Sequence, residues 1–198
     1  MNKKQFVEGK EDSKGKISDY TYISTALYEE KKSKFYSYIF NISSSKEANE
    51  ILSELRKEYK DARHIVYAYV LENESYCSDD GEPSGTGGKA IFTLLEKQKI
   101  TNTLVVVIRY FGGILLGAGP LLRAYLKSVK LAEEKIQIVD FTKKNKIDLI
   151  SDYNEETIVR NIIEKTNSSI ENVEYKDKVK FTILVDENKE KLFDKYKI

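Results

Sequence analysis

Two glycine-rich segments constrain this chain more than anything else in it: SDDGEPSGTGG at 78–88 and RYFGGILLGAGPLLRAY at 109–125. Eight of the ten glycines lie between Gly81 and Gly119. The window 61–125 around them also holds both prolines, the only histidine, the only cysteine and three of the five arginines. Glycine is used where backbone must take a positive φ or come close to another group. The clustering therefore predicts two tightly shaped loops, and any functional site is expected between them.

The flanking sequence reads as ordinary amphipathic elements. Residues 1–19 are polar and lysine-rich, a loose lead-in. Strands are expected at 20–26 and 35–42, joined through the charged turn EEKKSK. The serines at 43–45 then offer an N-cap, with Glu47 in the first turn and Ala48, Ile51, Leu52 and Leu55 at helical spacing, so 45–59 is a helix. The run ARHIVYAYV is a strand with two period-2 faces: His64, Val66, Ala68 and Val70 on one, Arg63, Ile65, Tyr67 and Tyr69 on the other. A short helix is expected at 90–96 and a strand at 104–110 buried on both faces. A helix follows from about Pro120 to Lys135, where proline suits the first turn. Beyond it come strands at 136–140 and 146–150, a helix at 153–165, a strand pair at 172–175 and 178–185, and a short helix at 188–196. This βαββα order reads as a small split-βαβ domain that lacks its closing strand. The division expected is thus 1–19, 20–135 and 136–198.

Several chemistries are disfavoured at once. One histidine and one cysteine make a zinc site implausible, and no serine or cysteine stands in a recognised nucleophile motif. The acidic turn should raise the pKa of Cys77 rather than activate it. The carboxylates Asp79, Asp80 and Glu82 lack the spacing of a calcium loop, and pairing with Arg63, Arg109 or Arg123 is the better reading than a metal. The case for an enzyme is thin, and no metal or cofactor is expected. GGILLGAG has neither the P-loop Lys-Ser/Thr pair nor the dinucleotide fingerprint, although a strand, glycine loop and helix can present N–H groups to an anion. Close packing of backbone is the equal alternative.

The balance of 33 basic and 32 acidic residues is unlike the basic surplus of a dedicated nucleic-acid binder. It argues against a nonspecific polyanion binder and leaves room for a local patch. Lysine outnumbers arginine 28 to five, so three arginines in the glycine window suggest bidentate recognition of carboxylate or phosphate, or pairing with the acidic turn. Tyr67 and Tyr69 could stack bases beside Arg63, but covering half-buried sheet is the plainer role. His64 is as readily a hydrogen-bonded core residue as a base. A single cysteine, no apolar leader and no apolar run longer than 104–108 lead to the expectation of a cytoplasmic protein with no membrane contact.

DARHIVYAYV, SDDGEPSGTGG and VVVIRYFGGILLGAGPLLRAY together resemble the IMPACT family, whose bacterial members are the YigZ-like proteins. The resemblance covers about 18–135, and more loosely the tail from about 140. It departs from the family at Gly87, Ala90 and Pro120, where Ala, Pro and Gly are usual. It implies an α/β (α+β) two-domain chain: an N-terminal domain with the fold of a small-subunit ribosomal protein domain, then a ferredoxin-like one similar to a domain of elongation factor G. Eukaryotic relatives regulate translation through an additional N-terminal domain that is not expected here, so their partnership is not carried over. The expected function is a non-enzymatic role linked to translation, with RNA, the ribosome or a translation factor as partner and no DNA. An enzyme acting on a phosphorylated or nucleotide-like molecule, and a protein-interaction module, are the alternatives.

The expected recognition surface joins the two loops. It comprises Arg63 and His64 from the strand, Asp79, Asp80 and Glu82 of the acidic turn, and Gly81, Gly85, Thr86 and Gly88 around them. From the second segment it takes Arg109, Tyr110, Gly112, Gly113, Gly117, Gly119 and Arg123.

Overall fold

Strand β8 (Thr103–Tyr110) is buried from Thr103 through Arg109, and the larger part of the molecule is built around it. The computed structural model describes residues 5–9, 14–140 and 143–198. The chain divides into two compact units, Met1–Phe141 and Thr142–Ile198.

In the first unit β8 is the middle of a five-stranded sheet, flanked by β5 (Ser33–Asn41) and β6 (His64–Val70). The edges are β4 (Ser24–Glu30) and β7 (Ser75–Ser78), and every pairing is antiparallel. An antiparallel sheet usually keeps one face wet; here helices cover both, which is why β8 lacks the usual polar alternation. On one face lies α1 (Ser45–Glu58), whose Ala48, Ile51, Leu52 and Leu55 pack on Phe40, Ile65, Leu104, Val106 and Ile108. On the other lie α2 (Gly88–Gln98) and α3 (Ala118–Glu133), which bring Ile91, Leu95, Tyr125 and Val129 onto Phe35, Val66, Ala68, Val105 and Val107. The two period-2 faces of the histidine-bearing strand divide between these cores as expected. Tyr69 is buried and Tyr67 half-buried on the α1 side, so they cover sheet rather than form an open stacking platform.

Local chemistry sets the element ends. Ser44 Oγ accepts from the Glu47 N–H at 3.2 Å, while the Glu47 carboxylate accepts from the Ser43 N–H and hydroxyl, both at 2.8 Å. This reciprocal arrangement satisfies N–H groups that would otherwise be orphaned. The β4–β5 turn is the pair Lys31-Lys32, both at positive φ (47° and 65°), as a two-residue hairpin of this hand requires.

The polar lead-in holds more structure than expected. Residues 1–4 and 10–13 lie outside the described residues, but β1 (Gln5–Gly9) pairs with β9 (Ile136–Asp140) and buries Val7. A further hairpin joins β2 (Gly15–Ile17) to β3 (Tyr20–Tyr22). Strand β9 therefore packs with the first unit. Strand β7 was not expected either: it lies just before the glycine segment, which it overlaps only at Ser78.

In the second unit β10 (Lys144–Ser151), β12 (Val179–Asp186) and β11 (Ser169–Tyr175) form a sheet in that order. Helix α4 (Glu156–Lys165), preceded by a 3-10 turn, sets Val159 and Ile163 against Leu149, Phe181 and Ile183. The terminal helix is a 3-10 stretch, Glu187–Phe193. Where a closing strand was expected to be missing, the last residues run along β10. The Ile150 N–H donates to the Tyr196 carbonyl at 2.7 Å and the Ile198 N–H to the Asp148 carbonyl at 3.2 Å, around a bridge from Leu149 to Lys197.

Candidate functional site

The acidic turn lies between β7 and α2, and its three carboxylates do three different things. Asp79 turns toward α2: one oxygen accepts from the N–H groups of Gly87 (3.0 Å) and Lys89 (3.3 Å), the other from Gly85 (2.8 Å). It caps a helix whose own N-cap position, Gly87, has no side chain to do so. Asp80 secures the start of β6, accepting the Ile65 N–H at 2.6 Å and pairing with Arg56 at 3.0 Å. Its own carbonyl lies 2.8 Å from His64 Nδ1. Glu82 points inward and is buried.

Glu82 is the centre of a network joining three elements. Arg109 Nη1 of β8 donates to Glu82 Oε1 at 2.5 Å, and the Tyr125 hydroxyl of α3 donates to the same oxygen at 2.7 Å. His64 Nε2 stands 3.9 Å from it, an ion pair when the imidazole is protonated. Arg109 is 5% exposed, and its Nε has no hydrogen-bond partner among the described residues. Burial first, and then the Glu82 charge, push the Tyr125 hydroxyl far above the ordinary phenol range. The guanidinium also lies 5.5 Å from the Phe35 ring centre and 5.8 Å from that of Phe111.

Above this network is a cleft of about 360 Å³. It is lined by the polar Arg63, His64, Glu82 and Arg109 and by the apolar Phe111, Leu115, Leu116 and Leu121, with backbone of Gly81, Gly117 and Ala118 between them. Its lip is apolar and exposed, with Leu115 84% accessible. Gly117, at φ +79°, turns the chain into α3 and caps that helix with no side-chain hydrogen bond. A wider hollow on the second unit, about 660 Å³, is lined by groups already paired with one another, such as Lys197 with Glu190.

The two glycine segments do converge, but not every expected residue faces the space between them. Arg63, His64, Gly81, Glu82, Arg109 and Gly117 line the cleft. Asp79, Gly85 and Gly88 serve the start of α2, and the Thr86 hydroxyl is bonded to the Pro83 carbonyl at 2.6 Å. Tyr110 points to the opposite face and meets Tyr36 edge-on at 5.9 Å. Gly112 presses on the β4–β5 turn, where its N–H donates to Ser33 Oγ at 3.1 Å; Gly113, at φ +84°, is exposed. Arg123 is exposed beside Gly119. Of the expected arginine pairings only that of Arg109 is made: Arg63 and Arg123 have no ion pair among the described residues. The group that does pair with Asp80, Arg56, lies in the last turn of α1, and nothing in the sequence links the two. Tyr125 carried a usable signal, a phenol on the apolar stripe of a helix, because a buried hydroxyl needs a partner. The Cys77 thiol is pushed up chiefly by burial, with Lys89 opposing and Asp79 adding to the rise.

Residues 31–132 match the Impact N-terminal domain, and residues 149–195 match a domain of unknown function, DUF1949. The chain belongs to the IMPACT family. It is 34% identical over 168 residues to the IMPACT family member YvyE of Bacillus subtilis, covering 83% of this chain and 77% of that protein. It is 31% identical over 156 residues to the family member YigZ of Escherichia coli, with 76% of each chain covered. Among solved structures, the crystal structure of a hypothetical protein aligns with 98% of this chain and 91% of its own, at a TM-score of 0.64 and 26% identity. That likeness extends the α+β, two-domain architecture to an experimental relative.

Proposed function

We propose that this IMPACT family protein is a non-catalytic, cytoplasmic binding protein of translation, and that its cleft engages RNA. The observation that carries the reading is the charge left over at the cleft. Asp79 is engaged with α2, Asp80 with β6 and Arg56, and Glu82 with Arg109 and Tyr125. Arg63 and Arg123 therefore stay uncompensated beside the amino end of α3, a helix end that itself favours anions. An exposed aromatic ring, Phe111, stands at the mouth, suited to stacking a base. The link to translation comes from the family resemblance, and the near-zero net charge of the chain fits a local contact rather than a polyanion-coating surface.

The test is sucrose-gradient sedimentation of native lysate at low and high salt, for the wild type and an Arg63→Ala/Arg123→Ala variant. Co-migration with ribosomal particles that high salt and the variant both abolish is expected, because phosphate contacts release counterions and are salt-sensitive. A wild type that stays at the top of the gradient in both salts overturns the reading. Co-migration unaffected by nuclease digestion of the RNA assigns the partner to a protein factor instead.

A further inference from the structure

We infer that the cleft is a site for a terminal phosphomonoester carried on a nucleoside, an inference that rests on the cleft being the binding surface. Three observations meet there. First, α3 is 16 residues long and begins without a cap: Gly117 has no side chain, Pro120 has no N–H, and the N–H groups of Ala118 and Gly119 have no acceptor among the described residues. Such an end presents N–H donors and the positive pole of the helix to an anion. Second, Arg109 lines the same cleft with only 5% of its surface exposed; among the described residues Glu82 takes its Nη1 and no acceptor meets its Nε, which is itself shielded from solvent. A buried unpartnered donor is uncommon and calls for an acceptor. Third, Arg63 lines the cleft with a guanidinium that has no partner among the described residues and whose planar fork matches the oxygens of a phosphate.

The charges favour a terminal over a bridging phosphate. Arg109 is offset by Glu82, which leaves Arg63 and the helix pole facing the space, with Arg123 exposed nearby beside Gly119. A phosphomonoester, with a second pKa of about 6, carries close to two negative charges at neutral pH, whereas a backbone diester carries one. The remaining walls are Phe111, Leu115, Leu116 and Leu121, apolar surface that suits the base and not the phosphate.

The experiment titrates the full-length protein by calorimetry and by amide NMR with AMP, adenosine, inorganic phosphate, and an RNA hexamer bearing a 5′-phosphate, a 3′-phosphate or hydroxyls at both ends. AMP is expected to bind at least tenfold more tightly than adenosine and to shift the Ala118 and Gly119 amides. Arg63→Ala, with an unchanged melting temperature, should abolish the difference. A hexamer with a terminal phosphate that beats the all-hydroxyl hexamer assigns the phosphate to an RNA end. Binding of AMP without any hexamer binding keeps the phosphate site, assigns it to a free nucleotide and sinks the RNA reading. Equal binding of all three hexamers keeps the RNA reading and overturns the terminal phosphate. Absence of any binding, in a protein that still co-sediments with ribosomal particles, also overturns the site.

Discussion

Tyr125 and Arg109 share one oxygen atom of Glu82, at 2.7 and 2.5 Å, one from a helix and the other from a strand, both later in the chain than the carboxylate's own loop. The carboxylate is thereby fully engaged inside the fold, and the floor of the cleft is a structural joint as much as a recognition surface. Glu82→Ala would leave a buried guanidinium and a buried phenol without their acceptor. Removing one partner of a buried pair costs about 3–5 kcal/mol, and urea denaturation should register a loss of that size. Glu82→Gln, which keeps an acceptor oxygen for the phenol, should lose less. Arg109 is as buried as its partner, so Arg109→Ala should destabilise the protein as well.

The same phenol predicts a pH effect. Tyr125 is held protonated in the folded protein by burial and by Glu82, while in the unfolded chain it titrates near pH 10. Above that pH the unfolded state releases a proton that the folded state keeps, so stability falls as pH rises, by up to about 1.4 kcal/mol per pH unit. Tyr125→Phe lacks this loss. At pH 8 the variant should be less stable than wild type by about 1.5–3 kcal/mol, the value of a hydrogen bond to a charged group. By pH 11 the gap should have narrowed, and urea melts at the two pH values read this directly. A gap that stays constant would mean that the phenol ionises freely in the fold.

How much of this could be read from the residues differs by scale. The helices α1 and α3, strands β5, β6 and β8, and the division of His64 and Ile65 between two faces follow from period and capping signals that are local in sequence. The convergence of the two glycine segments was legible because glycine clusters report backbone constraint. What period cannot report is pairing between distant polar groups. Asp80 was expected to meet Arg63, Arg109 or Arg123, and it met a fourth arginine, Arg56, 24 residues away on α1. Strand β1 was illegible for a related reason: its lysine-rich surroundings hide a short apolar pair, and its partner β9, at the far end of the unit, makes it a strand together with a bridge from Gln5 to Ile100.

Asp80 gives a prediction that separates the backbone bond from the ion pair. Its carboxylate accepts the N–H of the buried Ile65, and it sits at φ +44°, a region that Asp and Asn tolerate far better than Ala. Asp80→Ala should cost about 1–3 kcal/mol for the lost acceptor and accelerate hydrogen exchange at the Ile65 amide. Asp80→Asn keeps both the acceptor and the backbone preference, and should recover most of that loss. Arg56→Ala removes only a half-exposed ion pair, worth up to about 1 kcal/mol. Equal destabilisation by Arg56→Ala and Asp80→Ala would assign the work to the ion pair instead.

The glycines themselves sort into two kinds, and substitution can tell them apart. At Gly88 a Cβ would stand 2.1 Å from the Ser78 carbonyl oxygen and 2.6 Å from that of Tyr67. Both are backbone atoms of paired strands, β7 and β6, so neither can move aside without opening the sheet edge. Gly88→Ala should therefore cost about 3 kcal/mol or more, the upper end for overpacking, whether or not any ligand is present. Gly119 is the opposite case. Its φ is not in the left-handed region, the nearest atom to a new Cβ is the Arg123 Nη1 at 3.6 Å, and it lies in the first turn of α3. Alanine there should stabilise the protein by about 0.4–1 kcal/mol, by restricting the unfolded chain. Thermal melts of the two variants check both values. If Gly119→Ala raises the melting temperature yet weakens AMP binding, the glycine is kept for access to the helix end. If it raises the melting temperature and leaves binding unchanged, the bare backbone at that position has no part in recognition.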